Sequence, residues 1–334
     1  MTLKKRIAIN GFGRIGRNLF RLLINHPTIE VVAINDIADN KTMAHLLKYD
    51  SIHGVLPSIV SYDEDSIFVD GKAYLFFHEK DISKLNWKSL DIDFVIESTG
   101  KYKTFDEINA HILAGAKKVI LSAPAEVENI KTVVLGVNEN ILDGTEKIIS
   151  NASCTTNNAA PMIKVIQELC GIEQAYITTV HSYTTDQSLH DQPHKDLRRA
   201  RGATQSIVPT TTGAAKALTK IFPELEGKIG GCGIRVPVPD GSLTDITFNV
   251  KREVSIEEIN LAFKIAAENN LKGILTYTED PIVSVDIIGN TSSCLFDAQL
   301  TSVIDKMVKV VGWYDNEIGY SSRIIDLILL IHKK

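Results

Sequence analysis

Near its start the chain reads Ile7-Ala8-Ile9-Asn10-Gly11-Phe12-Gly13-Arg14-Ile15-Gly16-Arg17. A short β-branched run opens directly into Gly-x-Gly-x-x-Gly. A helical pattern follows, with Leu19, Leu22 and Leu23 on one face. No other feature constrains the fold as much. Gly11 permits the tight turn, Gly13 lets a pyrophosphate approach the backbone, and Gly16 lets helix and strand pack closely. The helix N-terminus offers unpaired N–H groups and partial positive charge to an anion. A second strand, Val31–Asn35, leads into Asp36. A carboxylate there accepts hydrogen bonds from both ribose hydroxyls and repels a 2′-phosphate, so NAD is favoured over NADP.

The first half continues in this alternation. Strands are expected at Phe94–Glu97, Lys118–Ser122, Thr132–Gly136 and Ile148–Ser150, with helices at Arg17–His26 and Glu107–Ala114. Such a pitch means βαβ units and a parallel, Rossmann-type sheet. The second half has longer strand patterns: Ala175–Val180, Ile229–Val238, Ser242–Val250, Val283–Ile288 and Met307–Trp313. Helical stretches at Ile163–Leu169, Thr212–Ile221 and Ile256–Glu268 lie between them. An α+β domain with a mixed sheet is expected there. The 334 residues are too many for one core.

Lysine and arginine number 36 and aspartate and glutamate 41, a net charge of −5. No basic field is available for nucleic acid, and an anion site must concentrate its positive charge locally. Cys154, Cys170, Cys232 and Cys294 are far apart and form no C-x-x-C pair, which argues against a zinc site. Four separate thiols suit a reducing, cytoplasmic setting. No apolar run approaches the length of a membrane span.

Cys154 stands at a strand-to-helix turn in Asn151-Ala152-Ser153-Cys154-Thr155-Thr156-Asn157. A helix N-terminus stabilises thiolate, so a lowered thiol pKa is expected. Pro161 should start or bend the following helix. A nucleophilic cysteine wants a base, and His181 ends a strand beside a loop; His194 is a competitor. Lys195, Arg198, Arg199 and Arg201 cluster, with Arg235 further on, and Thr210-Thr211-Thr212-Gly213 precedes a helix. An anion site is the sharper explanation, because arginine forks bind phosphate bidentately.

Together these stretches resemble phosphorylating glyceraldehyde-3-phosphate dehydrogenase over almost the whole length. The matching segments are INGFGRIGR at 9–17, Asn35-Asp36, SNASCTTN at 150–157, HSYTTDQ at 181–187, HKDLRRAR at 194–201, TTTGAAKA at 210–217, RVPVP at 235–239 and WYDNEIGYS at 313–321. The resemblance implies a homotetramer of two-domain subunits. The NAD-binding domain would span 1–151, with a C-terminal helix from about 317 to 334 returning to it, and the catalytic domain 152–316. Cys154 would be the nucleophile and His181 the base. Ser153, Thr155, Thr184, Arg199, Thr212, Gly213 and Arg235 would line sites for the substrate phosphate and inorganic phosphate. Gly11, Phe12, Gly13, Arg14, Ile15, Gly16, Asn35, Asp36, Lys80, Ser122, Asn316 and Tyr320 would serve NAD. The implied reaction takes glyceraldehyde 3-phosphate, NAD and phosphate to 1,3-bisphosphoglycerate through a thiohemiacetal and a thioester, and calls for no metal. Erythrose-4-phosphate dehydrogenase, a sister enzyme with the same cysteine chemistry, is the alternative. Departures from the family pattern are Asn158 in place of a second cysteine, Lys80 in place of an arginine, Gln192 in place of a leucine and Ile318 in place of a tryptophan.

Overall fold

A computed structural model describes residues 4–333. The chain forms two compact units. One comprises the chain up to Val133, Asn140–Ala152 and the chain from Ser321; the other comprises Val134–Glu139 and Ser153–Tyr320.

The first unit is built on a nine-stranded sheet. From one edge the order is Lys131–Thr132, Ile148–Ser150, Lys118–Leu121, Phe94–Glu97, Lys5–Asn10, Ile29–Asn35, Lys72–Phe77, Ser66–Val69 and Val60–Tyr62. The strands up to Lys72–Phe77 run parallel, and the last two return antiparallel. Lys5–Asn10 lies at the centre, with Ile29–Asn35 on one side and Phe94–Glu97, later in the chain, on the other. The chain reverses its direction of growth there, and the crevice beyond the carboxyl ends of such strands is where ligands bind. The strands are apolar because both faces are covered: Ile7, Ala8, Ile9, Val95 and Ile96 are fully buried.

Helix Arg14–Leu23 follows the glycine turn, with Leu19, Phe20 and Leu23 buried. It starts three residues before the expected position because Gly13 is its cap. Helix Phe105–Leu113 opens with a capping box between Thr104 and Glu107. The sequence reading omitted helix Asn40–Lys48 and the hairpin Ser66–Val69/Lys72–Phe77. The expected strand Thr132–Gly136 shrinks to Lys131–Thr132, since the chain passes into the second unit at Val134.

The second unit has an eight-stranded mixed sheet. Its order is Val208–Thr210, Ile229–Val236, Ile172–Ser182, Ser242–Val250, Met307–Tyr314, Cys294–Asp297 and Leu275–Thr278, with Ser302–Ile304 added on Met307–Tyr314. Ser242–Val250 alternates buried positions with half-buried or exposed ones, the pattern of a sheet with one face on the core. Helices Cys154–Cys170, Ala214–Ile221 and Ile256–Glu268 belong to this unit. Phe263 of the last helix stacks on Phe296, ring centroids 3.7 Å apart.

Two expectations need correction here. Val283–Ile288 is not a strand. Asp286 accepts the Val283 N–H at 2.8 Å, and this local bond closes a 3₁₀ turn over Ser284–Ile287. Nor does Pro161 start its helix, the first of the two outcomes expected of it: the helix runs from Cys154 to Cys170 with the proline inside. Only the backbone bond from position 161 to the Asn157 carbonyl is forfeited, and Ala159, Ala160, Met162, Ile163 and Ile166 are fully buried around it.

Candidate active site and nucleotide cavity

The glycine turn of the first unit has the shape its sequence demands. Gly11 has φ +94°, and a Cβ there would meet the Thr99 backbone nitrogen at 2.7 Å. A Cβ on Gly16 would come within 2.2 Å of the Gly11 carbonyl oxygen, so helix and strand touch without room for a side chain. Gly13 faces open space. A bare, open glycine at a helix N-terminus is what a pyrophosphate needs.

A cavity of about 510 Å³ adjoins this turn. It is lined by Asn10, Gly11, Gly13, Asn35, Asp36 and Lys80, among others. Asp36 Oδ2 accepts the Phe12 N–H at 2.7 Å and Oδ1 the Ala38 N–H at 3.1 Å, so the carboxylate is held at the cavity wall. These residues fit the adenosine and pyrophosphate of NAD. The Phe12 ring is fully buried and packs edge-on against Phe20 and Phe76, leaving its backbone to face the turn. Ile15 is half-buried in the first helical turn. Arg14 grips Asp50 bidentately at 2.6 and 3.1 Å. Burial pushes the Asp50 carboxyl up, but Arg14 and the N–H groups of His53 and Ile52 outweigh it and hold it well below the usual range. Ser122 donates its backbone N–H to the Glu97 carbonyl at 2.9 Å and is not among the lining residues of this cavity.

Asn316 and Tyr320 belong to the second unit. Asn316 Oδ1 accepts from Ser182 Oγ at 2.9 Å and from Ser242 Oγ at 2.6 Å. Tyr320 is buried on helix Ile318–Lys333.

The chemistry-bearing residues gather at the ends of strands in the second unit. The backbone leaves Ile148–Ser150 through Ala152, whose φ of +56° is costly for a residue with a Cβ. Ser153 then caps the helix, its hydroxyl accepting the Thr156 N–H at 3.1 Å. Cys154 is the first residue of that helix and is partly exposed. Its sulfur lies 3.5 Å from His181 Nε2.

His181 is near the end of Ile172–Ser182, and the parallel neighbour Ile229–Val236 places Arg235 directly opposite. His181 Nδ1 is 2.8 Å from the Ser182 carbonyl oxygen and 2.7 Å from Arg235 Nη1. A carbonyl only accepts and a guanidinium only donates, so the two contacts belong to different proton positions on the ring. With the proton on Nδ1 bonded to Ser182, Nε2 presents a bare lone pair to the sulfur. Burial, then the nearby Arg235 charge, lowers the His181 pKa to about 3, so the imidazole is neutral.

Burial also pushes the Cys154 thiol above its ordinary range, while Arg235 and the Thr155 N–H pull the other way. The direction is opposite to the lowering expected from the helix terminus alone, because desolvation of the sulfur acts against it.

Arg199 Nε donates to Thr210 Oγ1 at 2.9 Å and Nη1 to Asp186 at 2.8 Å. Thr184 donates its hydroxyl to the same Asp186 carboxylate. The edge strand Val208–Thr210 pairs antiparallel with Ile229–Val236, placing Val208 opposite Arg235. Thr212 Oγ1 accepts the Ala214 N–H at 3.2 Å, and Gly213 caps helix Ala214–Ile221 with open space at its Cα. Thr155 is buried, its hydroxyl 2.9 Å from that of Tyr314. His194 takes no part in the Cys154–His181 pair; its Nδ1 accepts the Asp196 N–H at 2.9 Å.

Two family matches cover most of this architecture. Residues 5–105 match "Glyceraldehyde 3-phosphate dehydrogenase, NAD binding domain", and residues 153–316 match "Glyceraldehyde 3-phosphate dehydrogenase, C-terminal domain". The glyceraldehyde-3-phosphate dehydrogenase of Geobacillus stearothermophilus is 53% identical over 331 residues, 98% of each chain. The chain belongs to the glyceraldehyde-3-phosphate dehydrogenase family. Similar matches are glyceraldehyde-3-phosphate dehydrogenase 2 of Streptomyces avermitilis, 54% identical, and the Mycobacterium avium enzyme, 53% identical, each over 98% of both chains.

The sequence reading of this dehydrogenase passed over several residues of the site. Tyr314 bonds Thr155 and Thr179, each at 2.9 Å, and its ring stands edge-on to His181 at 5.9 Å. Asp186 joins Thr184 to Arg199; burial pushes its carboxyl up, but those partners and Arg235 hold it below its usual range. Both residues lie inside segments that carry the family resemblance, and that membership was the signal that could have found them. At the family-atypical Asn158, the buried amide donates to the carbonyls of Ser293 at 3.3 Å and Trp313 at 3.1 Å, tying the Cys154 helix to the sheet.

Proposed function

We propose that this chain catalyses the NAD-dependent oxidative phosphorylation of D-glyceraldehyde 3-phosphate to 1,3-bisphosphoglycerate. The single observation that carries the chemistry is the 3.5 Å approach of Cys154 Sγ to His181 Nε2 in a family member. The thiol adds to the aldehyde carbon and gives a thiohemiacetal as its proton passes to the new oxygen by way of His181. The Cys154 backbone N–H stands at a helix N-terminus, where it can turn to the developing oxyanion. His181 Nε2 then takes the hydroxyl proton. Oxidation to the thioester needs a hydride acceptor, and bound NAD supplies it. Inorganic phosphate attacks the thioester carbonyl, the acyl–sulfur bond breaks, and Cys154 regains a proton. One difficult oxidation becomes two easier steps.

Arg199, Arg235, Thr184, Ser153, Thr155, Thr212 and Gly213 are assigned to the two phosphate sites, supported by the clustering of both guanidiniums and Thr184 around Asp186. Residues 1–151 serve as the NAD-binding domain and 152–316 as the catalytic domain. The relatives carry the glyceraldehyde-3-phosphate name, which favours the triose over erythrose 4-phosphate. A cytoplasmic homotetramer accords with four free thiols and with exposed Leu189, Leu197 and Ile207 in one long loop. Among the described residues no helix is long and apolar enough to cross a membrane.

NADH formation, followed at fixed NAD with each aldehyde phosphate, with and without inorganic phosphate, tests this reading. A phosphate-dependent rate on glyceraldehyde 3-phosphate is expected. A faster rate on erythrose 4-phosphate, or turnover indifferent to phosphate, overturns it.

A further inference from the structure

Beneath the nucleotide cavity lies a buried polar chain that the reaction above does not use. Its deepest member is His111, fully buried on helix Phe105–Leu113. The Trp87 indole Nε1 lies 3.0 Å from His111 Nδ1. An indole N–H only donates, so Nδ1 accepts and the ring proton sits on Nε2. Nε2 lies 3.1 Å from Glu97 Oε2 and donates to it. Glu97, buried at the end of Phe94–Glu97, also accepts from Asn10 Nδ2 at 2.5 Å, from the Thr99 N–H at 2.9 Å and from the Thr99 hydroxyl. Asn10 Oδ1 accepts from Asn35 Nδ2 at 2.7 Å. Asn35 in turn holds the Glu79 backbone on both sides, donating to its carbonyl and accepting its N–H, each at 2.9 Å. Asn10, Asn35, Glu79 and Thr99 all line the cavity. One side of the cavity is thus hung on one carboxylate, and His111 supports that carboxylate from below.

We propose that His111 is a positioning residue for the cofactor: the Trp87–His111–Glu97 chain sets the polar wall that receives the adenosine portion of NAD. Removing the ring leaves a Glu97 oxygen short of a donor in a dry interior, where a polar group seeks a replacement partner. Asn10 and Thr99, bonded to the same carboxylate, shift with it. Glutamine at 111 offers one acceptor to Trp87 and one donor to Glu97, whereas leucine offers neither. The proposal rests on the NAD reading of this cavity.

Calorimetric binding of ADP-ribose to the full-length protein tests it, with steady-state kinetics alongside. His111→Leu should weaken ADP-ribose binding and raise the NAD KM about tenfold, while kcat and the aldehyde KM stay within about twofold. His111→Gln should recover most of the loss. Trp87→Phe keeps the apolar bulk and removes only the N–H, and should weaken ADP-ribose binding by about threefold; it decides the matter if the leucine variant does not fold. Unchanged ADP-ribose affinity in the folded variants overturns the positioning role and leaves the cofactor reading standing. A parent protein that fails to bind ADP-ribose overturns both.

Discussion

Arg235 and His181 face each other across a parallel strand pair, guanidinium Nη1 2.7 Å from ring Nδ1. A permanent cation this close acts on both partners of the reacting pair. It disfavours imidazolium, keeping His181 free as a base, and it favours thiolate, opposing the burial that pushes the Cys154 thiol up. One side chain thus biases both proton positions in the direction that nucleophilic attack requires.

Replacing Arg235 by leucine should therefore raise both pKa values. The iodoacetamide reaction of Cys154, which follows thiolate, should move to higher pH in the variant. If Arg235 also meets a phosphate, its loss costs about 1.5–3 kcal/mol, roughly 10- to 150-fold in KM. Unphosphorylated glyceraldehyde separates the two effects: it should show the pH shift without the KM change. An alkylation profile that stays in place would remove Arg235 from the electrostatics of the pair.

Cys154→Ser should abolish NADH formation while leaving the fold intact, since a serine hydroxyl is a poor nucleophile without the activation that a thiol needs less. Mass spectrometry after limited iodoacetamide treatment should find label on Cys154 before the other thiols. Cys170 and Cys294 are buried, which pushes both their thiols up, and neither has Arg235 beside it. Loss of activity that tracks labelling of another cysteine would contradict the assignment.

Much of the architecture was legible in the chain because its signals were local. Gly11 and Gly16 sit where a turn and a close helix contact leave no room for a side chain, and Gly13 leaves the helix N-terminus bare and open. What escaped was of two kinds. Some local signals were not used: Asp70-Gly71 has φ of +49° and +80°, the turn that joins a hairpin, and this dipeptide is among the strongest hairpin signs a sequence can carry. Val283–Ile288 is β-branched enough to read as a strand, yet the Val283 N–H donates to Asp286 three residues on and the segment curls into a 3₁₀ turn, a second local signal passed over. Other features were non-local. The direction of the thiol shift at Cys154 depends on how deeply the sulfur is desolvated, which spacing cannot reveal. Tyr314 reaches the site from a strand some 160 residues after Thr155.

Asp36→Ala should weaken NAD and narrow its advantage over NADP. The carboxylate is fixed at the cavity wall by the Phe12 and Ala38 N–H groups and stands ready to accept ribose hydroxyls. Loss of a charge-assisted bond costs about 1.5–3 kcal/mol, so at least a tenfold rise in NAD KM is expected. The ratio of kcat/KM for the two cofactors is the measurement; an unaltered ratio would dismiss Asp36 as the discriminator.

Asn158→Ala should destabilise the protein by about 1–3 kcal/mol, because the Ser293 and Trp313 carbonyls lose a buried donor. The reacting groups are untouched, so kcat at a temperature well below unfolding should remain near the parent value. Denaturant midpoints compare the two. A variant as stable as the parent would mean that water or a side chain readily replaces the amide.

His181 also couples the site to stability. In the folded protein its pKa is about 3, whereas an unfolded chain returns it to about 6.5. Between those values the unfolded state binds a proton that the folded state refuses. The contribution is thus fully present above about pH 6.5 and is lost as pH falls toward 3, with a slope of up to about 1.4 kcal/mol per pH unit. His181→Asn removes this dependence and also the base, lowering the NADH-forming rate by about 10²–10⁴. Urea midpoints of parent and variant, taken from pH 7 down to 4, should converge or cross as the parent loses stability faster. Parallel midpoints across that range would show that the folded protein admits the proton at His181, and the neutral-imidazole account of the base would fail with it.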